Sequence, residues 1–313
     1  MSLIVGAYPA QNPGAVQQPF FEELAGISSI RGLELLYRAS GGDLWPAGAP
    51  DAWSAVVTAI PGTMQRLGLD GNFGLASTDS GGRRSAVDFV AGIKDYVAAL
   101  TDAGHPVEAV ELHSAPPHHA SGAAFGESLA EILGWDWHGT TIVIEHCDAP
   151  RVGRAPEKGF LRFEEEIRVV RSLREQGLHD IGVLVNWARS VIETGESRTA
   201  AEHIRYAREA GVLTGLMFSG CSPETTEFGY PWIDAHLPAV EVQGAPASSL
   251  LNAGEIARCL DEAGELPITG FKIGLPQDAV APADRVARLR QMCNVITEGF
   301  SAGTGQRPEF SPT

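Results

Sequence analysis

Short apolar segments alternate with amphipathic ones along almost the whole chain, and this alternation limits the possible folds more than any other feature of the sequence. The predicted strands cover residues 3–9, 32–38, 72–78, 107–114, 140–146, 181–187, 212–219 and 268–275. The predicted helices that follow them cover residues 20–27, 51–67, 85–103, 127–133, 160–176, 199–210, 250–263 and 282–300. Eight strand–helix units predict a single-domain α/β fold, a (β/α)8 TIM barrel over residues 1–300 with a polar tail at 301–313. A doubly wound open sheet is the alternative, and the lack of a Gly-rich GxGxxG turn makes it the less favoured one.

The alternation of side chains within each strand predicts which residues face the barrel interior. In the fourth strand Val110 and Leu112 are apolar and should face the helices, so Glu111 and His113 should face inward. The same argument, applied strand by strand, places one polar group after another near the barrel centre. The predicted interior set is Tyr8, Glu34, Glu111, His113, Glu145, Asn186 and Lys272.

This interior set is the candidate functional site. Burying carboxylates and an ammonium group costs several kcal/mol unless they are paired or bind a ligand. For any one residue a structural ion pair is an equally good interpretation, but a barrel does not need this many interior polar groups in order to fold. The stretch TTIVIEHCDAP, residues 140–150, shows the pattern most clearly, because its apolar run ends at Glu145. By alternation His146 should point away from the barrel centre.

Composition limits the class of partner. The formal net charge of −16 disfavours a nucleic-acid partner, because a phosphate backbone would be repelled. The four cysteines are widely spaced and include no CxxC pair, which is typical of a reduced, cytoplasmic protein. No apolar run approaches the length of a membrane span, so we expect no membrane association. A small carbohydrate-like substrate remains open, as does a homo-oligomeric state.

Several motifs resemble those of the xylose-isomerase-like TIM barrel superfamily of sugar and sugar-phosphate isomerases and epimerases, in particular an uncharacterised bacterial branch of it. GLELLYR resembles the family's second strand with its inward glutamate, here Glu34. ELHSAPP resembles the fourth strand with a histidine at its tip, here His113, and TIVIEHCDA resembles the fifth strand, whose glutamate is a metal ligand, here Glu145. The resemblance implies a divalent cation that polarises a hydroxy-carbonyl substrate while a carboxylate moves a proton between adjacent carbons.

The sequence departs from that family pattern at three strand ends. Asn186 stands where an aspartate is usual, Ser219 where a histidine is expected, and Lys272 where a glutamate would lie. Hard cations prefer several anionic oxygens, so this ligand set is a poor one. Two interpretations follow. Lys272 replaces the charge of the metal, or a metal such as Mn²⁺, Mg²⁺ or Zn²⁺ binds in a shifted arrangement through Glu145, Glu111 or Glu34, and His113.

The leading functional hypothesis is an isomerase or epimerase acting on a sugar or related hydroxy-carbonyl compound. Glu145 and Glu34 would transfer protons, while His113 and Lys272 would stabilise the developing oxyanion. The predicted substrate-binding residues are Tyr8, Glu111, Asn186 and Arg189. Three alternatives are a lyase or aldolase that uses Lys272 as a Schiff-base amine, a glycoside hydrolase that uses a pair of the interior glutamates, and a catalytically silent sugar-binding barrel.

Overall fold

A computed structural model describes residues 1–11, 16–38, 41–276 and 282–304. Eight parallel strands pair in sequence order and the last pairs with the first, so the sheet closes into a barrel. The strands are β1 (Leu3–Gly6), β2 (Ile30–Leu36), β3 (Ser54–Thr58), β4 (Val107–Leu112), β5 (Thr141–Glu145), β6 (Ile181–Asn186), β7 (Leu213–Phe218) and β8 (Ile268–Lys272). The predicted single-domain (β/α)8 fold is therefore confirmed.

The helices surround this barrel on its outer side. They are α1 (Gln18–Leu24), α2 (Ile60–Leu69), α3 (Ser80–Asp102), α4 (Gly122–Leu133), α5 (Phe163–Glu175), α6 (Trp187–Thr194), α7 (Arg198–Glu209), α8 (Ala253–Ala263) and α9 (Pro282–Thr304). Within the described ranges no helix combines the length and the apolarity that crossing a membrane requires. The final helix continues to Thr304, and residues 305–313 lie outside the described part, so the boundary of the polar tail stays a prediction.

Side chains of alternating strand positions form two separate apolar layers. The inner layer fills the lower part of the barrel and consists of Ile4, Val56, Ala109, Val143, Leu184, Met217 and Ile268. The outer layer joins the other face of the strands to the helices and includes Val110, Ile142 and Ile144. On the same inner face, Glu111 and Glu145 lie two positions beyond Ala109 and Val143. On β8, Lys272 lies four positions beyond Ile268, with Gly270 between them. The packing of this inner apolar layer thus determines which polar side chains face the barrel interior near the carboxyl ends of the strands.

The third strand was predicted in the wrong place. Residues 72–78 form turns with one isolated bridge, whereas β3 lies in the first half of the segment predicted as a helix over 51–67. The run Val56–Val57–Thr58 is β-branched and suits a buried strand, and Pro61 lies in the first turn of α2. The helix therefore begins only at Ile60, after the strand has ended.

Several further boundaries differ from the predicted ones, and two of these differences affect the site. The first strand ends at Gly6, and Tyr8–Ala10 forms a short 3-10 helix that contains Pro9. The sixth strand ends at Asn186, which caps the N-terminus of α6 by accepting a hydrogen bond from the backbone N–H of Arg189. This abrupt change from strand to helix turns Arg189 back over the barrel mouth.

Candidate active site

The carboxylate of Glu145 lies at the centre of the polar cluster and accepts contacts from four side chains. Its Oε1 accepts hydrogen bonds from Lys272 Nζ at 2.9 Å and from Asn186 Nδ2 at 3.1 Å. Its Oε2 lies 3.0 Å from His113 Nε2 and also forms an ion pair with the Arg189 guanidinium. Since a carboxylate only accepts, Nε2 of His113 carries the proton and Nδ1 is left as an acceptor. Both oxygens of Glu145 are therefore fully used by protein groups.

The second carboxylate, Glu34, extends the cluster toward β1 and β2. Its Oε1 accepts a hydrogen bond from Lys272 Nζ at 2.7 Å, with the Tyr8 hydroxyl at 3.5 Å, while its Oε2 has no hydrogen-bond partner among the described residues. Gly6 makes room for this arrangement. A Cβ atom at Gly6 would lie 2.6 Å from Glu34 Oε2 and 2.7 Å from Lys272 Cβ. The ammonium group of Lys272 is thus shared by two buried carboxylates.

The carboxylates of Glu145 and Glu34 differ in pKa because their electrostatic surroundings differ. Burial raises the pKa of Glu145, but the charges of Arg189 and Lys272 outweigh it, and the pKa lies well below its usual range. For Glu34 burial outweighs Lys272, and the pKa is raised. Burial lowers the pKa of Lys272, but the charges of Glu145 and Glu34 raise it well above its ordinary value. Glu145 is consequently a weak base, Glu34 a stronger one, and Lys272 a permanent ammonium.

Glu111 and His113 on β4 complete the interior. Glu111 is fully buried, and neither of its oxygens has a hydrogen-bond partner in the described ranges. Burial and the nearby charges of Glu145 and Glu34 raise the pKa of Glu111 well above its usual range. Burial lowers the pKa of His113 to about 4. His113 is therefore neutral near pH 7, and the surroundings of Glu111 favour its neutral, protonated form.

Loop residues that the sequence pattern did not identify close the barrel mouth. Asp234, in the segment between β7 and α8, accepts a hydrogen bond from Arg189 Nε at 3.0 Å and from Lys158 Nζ at 2.5 Å. Lys158 lies between β5 and α5, in a loop whose backbone N–H groups at 157 and 158 donate to the buried Asp148. Neither segment shows the periodicity that located the strands. Only the unusual Asp148 immediately after a buried strand was a signal.

A cavity of about 470 Å³ reaches the cluster from the side of β1 and β2. Tyr8 and Glu34 lie at its inner end. Phe21 of α1 and Leu35 of β2 line its walls, and Arg38 lies toward the solvent. The side chains of Glu34, Glu145 and Lys272 are all fully buried, and of these three residues it is Glu34 that lines the cavity.

The residues present do not fit the divalent cation that the resemblance implies. Glu145 has both oxygens occupied by Lys272, Asn186, His113 and Arg189, and all four groups direct N–H protons at the carboxylate that would bind the metal. Cations of this kind prefer several anionic oxygens or unprotonated imidazole nitrogens. In the described ranges no three His, Cys, Asp or Glu side chains are arranged to hold a metal ion. The Lys272 ammonium provides positive charge at this point instead.

A second buried polar network lies outside the barrel, behind β5. His146 Nδ1 lies 2.7 Å from Glu166 Oε2 and its Nε2 lies 3.0 Å from Glu193 Oε2. Burial lowers the pKa of His146, but these two carboxylates outweigh it and raise the pKa to about 10. As predicted from alternation, His146 points away from the barrel centre. The network ties β5 to α5 and α6, and therefore helps to hold Glu145 in place.

All eight residues predicted from the sequence lie in or beside one cluster. Tyr8, Glu34, Glu145 and Lys272 are linked directly, and His113, Asn186 and Arg189 surround Glu145. Glu111 is buried in the same interior. Ser219, at the end of β7, donates a hydrogen bond to Asn186 Oδ1 at 3.0 Å. The structure thus brings the predicted residues together, while their roles remain to be assigned.

The closed barrel with a polar cluster at its strand ends defines a TIM-barrel protein, and xylose-isomerase-like barrels are among the solved structures that share its fold. A D-psicose 3-epimerase, crystallised in the presence of D-fructose, matches with a TM-score of 0.58 and 13% identity over 96% of this chain and 99% of that one. A xylose isomerase domain containing protein from Salmonella typhimurium matches with a TM-score of 0.60 and 12% identity over 94% of this chain and 97% of that one. At such low identities the likeness establishes the fold.

The chain belongs to the family described as a domain of unknown function, DUF4862, which matches residues 4–288. An uncharacterised protein of Salmonella typhimurium is 38% identical over 250 residues, which cover 75% of this chain and 77% of that protein. The predicted resemblance to an uncharacterised branch of the xylose-isomerase-like barrels is therefore confirmed. Its structural neighbours include sugar epimerases and isomerases.

Proposed function

We propose that the protein is an isomerase or epimerase of a sugar or related hydroxy-carbonyl compound, with Glu34 as the proton-transfer group. The observation that carries the proposal is the environment of Glu34. One oxygen is held by the Lys272 ammonium, the other has no partner among the described residues, and the residue lines the cavity. A carboxylate with a raised pKa, beside a fixed cation and open space, suits proton transfer next to a carbonyl group.

In the proposed reaction the Glu34 carboxylate removes a proton from the carbon next to the carbonyl group of the substrate. The electron pair of that C–H bond moves toward the carbonyl oxygen and gives an enediolate. Lys272 donates a hydrogen bond to this oxygen and stabilises its charge, because the ammonium is fixed and shielded from water. In an isomerisation Glu34 then returns the proton to the neighbouring carbon, while the proton of the adjacent hydroxyl group passes to the former carbonyl oxygen and that hydroxyl carbon becomes the new carbonyl. In an epimerisation the proton is replaced on the opposite face, which requires a second donor, and Tyr8 is the nearest hydroxyl.

For Glu145 the contacts support a role different from the predicted proton transfer. A carboxylate whose oxygens accept from four groups and whose pKa is well below its usual range is a poor base near pH 7. We assign to it the orientation of Lys272 and His113 toward the substrate. Asn186 and Arg189 would likewise act through Glu145, and the nearest substrate-binding group would be Tyr8.

The Schiff-base alternative is less well supported. A lysine that attacks a carbonyl carbon must lose its proton, and such residues have lowered pKa values. Two carboxylates at 2.7 and 2.9 Å raise the pKa of Lys272 instead. The same contacts hold two of its N–H groups on Glu34 and Glu145 and favour the ammonium form, which has no lone pair for attack on a carbonyl carbon.

Incorporation of deuterium from solvent into a panel of aldoses and ketoses tests the proposal. We expect exchange at the carbon next to the carbonyl group with at least one sugar, without added metal. Glu34→Gln should reduce the exchange rate by about 10²–10⁴-fold, since an amide cannot accept the proton. Glu209→Gln, at an exposed position on the far end of α7, is the matched control and should exchange at the wild-type rate. Binding of a sugar with no exchange in either protein would identify a sugar-binding barrel and refute the enzymatic proposal.

A further inference from the structure

We infer that the ligand of this site carries an apolar substituent beside its hydroxy-carbonyl group, and that the cavity between β2 and α1 binds that substituent. This inference rests on the proposed function for the polar end of the ligand only. The ligand class is thus an α-hydroxy-carbonyl compound with an alkyl or similar apolar group.

The cavity has two chemically different ends. Its inner end holds the Glu34 carboxylate and the Tyr8 hydroxyl. Its walls combine polar side chains, among them Gln11, Gln17, Gln18 and Asp43, with apolar ones from three separate segments of the chain. The apolar ones are Val16, Phe21, Leu33, Leu35, Leu36 and Leu44.

The exposure of the outer wall supports this assignment. Val16 is 81% exposed and Leu44 is 36% exposed, although both border the same cavity as the buried Leu33. Apolar surface of this kind, continuous with a polar pocket, is typical of a ligand-binding site. An alkyl group placed against these leucine side chains loses no hydrogen bonds to water, whereas a hydroxyl group placed there does.

The volume fits the inference as well. A cavity of about 470 Å³ lies inside the range of roughly 300–1,000 Å³ that ligand pockets occupy. Each methylene group transferred from water to such a wall contributes about 0.8 kcal/mol, which is about a fourfold gain in affinity. Affinity should therefore rise steadily with the length of the apolar group while the polar end stays the same.

A homologous series of α-hydroxy ketones provides the test. We would measure the dissociation constants of 1-hydroxypropan-2-one, 1-hydroxybutan-2-one and 1-hydroxyhexan-2-one for the full-length protein by ligand-observed NMR. The expected result is about a fourfold gain per methylene, or about 60-fold across the series if all three added methylenes are buried. A gain below about twofold across the whole series, or no detectable binding of any member, would overturn the inference.

Matched variants keep the test specific to the cavity. Leu36→Asn replaces a half-buried leucine of the wall and should reduce the gain per methylene, whereas Leu69→Asn changes a leucine that is 86% exposed at the end of α2. Equal slopes in both variants would place the alkyl group elsewhere and refute the assignment. If the slope is present but no sugar or hydroxy ketone undergoes deuterium exchange, the proposed enzymatic function fails while the binding inference stands. If deuterium exchange occurs but affinity does not rise with each added methylene, the enzymatic function stands while the binding inference fails.

Discussion

Replacing Lys272 by methionine should destabilise the protein more than any other single change in the barrel interior. Lys272 Nζ lies 2.7 Å from Glu34 Oε1 and 2.9 Å from Glu145 Oε1, and all three side chains are fully buried. Methionine has a similar volume but leaves two carboxylates without their shared cation. Loss of one partner from a buried ion pair costs about 3–5 kcal/mol. A cost of this size is a large fraction of the roughly 5–15 kcal/mol by which a folded domain is stable.

The pH dependence of this loss provides a sharper measurement. In the wild type the depressed pKa of Glu145 contributes stability above the unfolded value of about 4.5, and that stability is lost as the pH falls through the folded pKa. Without Lys272 the folded pKa values of Glu145 and Glu34 rise, so the variant loses stability as the pH increases. The difference between wild type and Lys272→Met should therefore be smallest near pH 4.5 and grow toward pH 7.5.

Urea denaturation followed by circular dichroism at these two pH values measures the free energy of unfolding directly. Lys94→Met is the control, because Lys94 is paired with Asp95 at the surface, 3.5 Å away, and should cost less than about 1 kcal/mol. A Lys272→Met protein that loses less than about 1 kcal/mol at pH 7.5, or whose loss is the same at both pH values, would refute the idea that this ammonium holds the cluster together.

Two further changes test the supporting structure. Gly6→Ala should lower the free energy of unfolding in urea denaturation by about 1–3 kcal/mol, because its Cβ would lie 2.6 Å from Glu34 Oε2. The control is Gly68→Ala in α2, which has open space around it and should raise the free energy of unfolding by about 0.5–1 kcal/mol. Equal effects of the two substitutions would contradict this account. His146→Gln removes a group whose pKa is raised to about 10 by two buried carboxylates. The wild-type free energy of unfolding should therefore fall as the pH rises from about 6.5 through about 10, and the variant should be less stable near pH 7 but lack this decline; a variant with the same decline would show that another group titrates.

The interior residues were predictable because they depend on the alternation of single strands. Once Val110, Ile144 and Phe271 are assigned to the helix-facing side, Glu111, Glu145 and Lys272 must face inward. That argument holds regardless of how far the strands lie apart in the sequence. The misplaced third strand did not affect it, since β3 contributes only Thr58 to the upper interior.

The residues that close and support the site were not predictable in the same way. Asp234 and Lys158 meet over a separation of 76 positions through two irregular segments, and neither segment has a period that fixes side-chain direction. Glu166 follows two other glutamates at the start of an amphipathic helix, a pattern typical of a solvated first turn, yet it is fully buried against His146. Its burial depends on how α5 packs on β5, and a single sequence contains no record of that packing.

The shared ammonium of Lys272 has a consequence for how the barrel comes apart. Its two contacts join residues 238 and 127 positions apart, so they can form only after β8 has closed against β1. Contacts of such long range form late in folding, because the loops they close cost the most chain entropy. They therefore slow unfolding more than they speed folding. Loss of these contacts should therefore shorten the lifetime of the native state and change the folding rate much less.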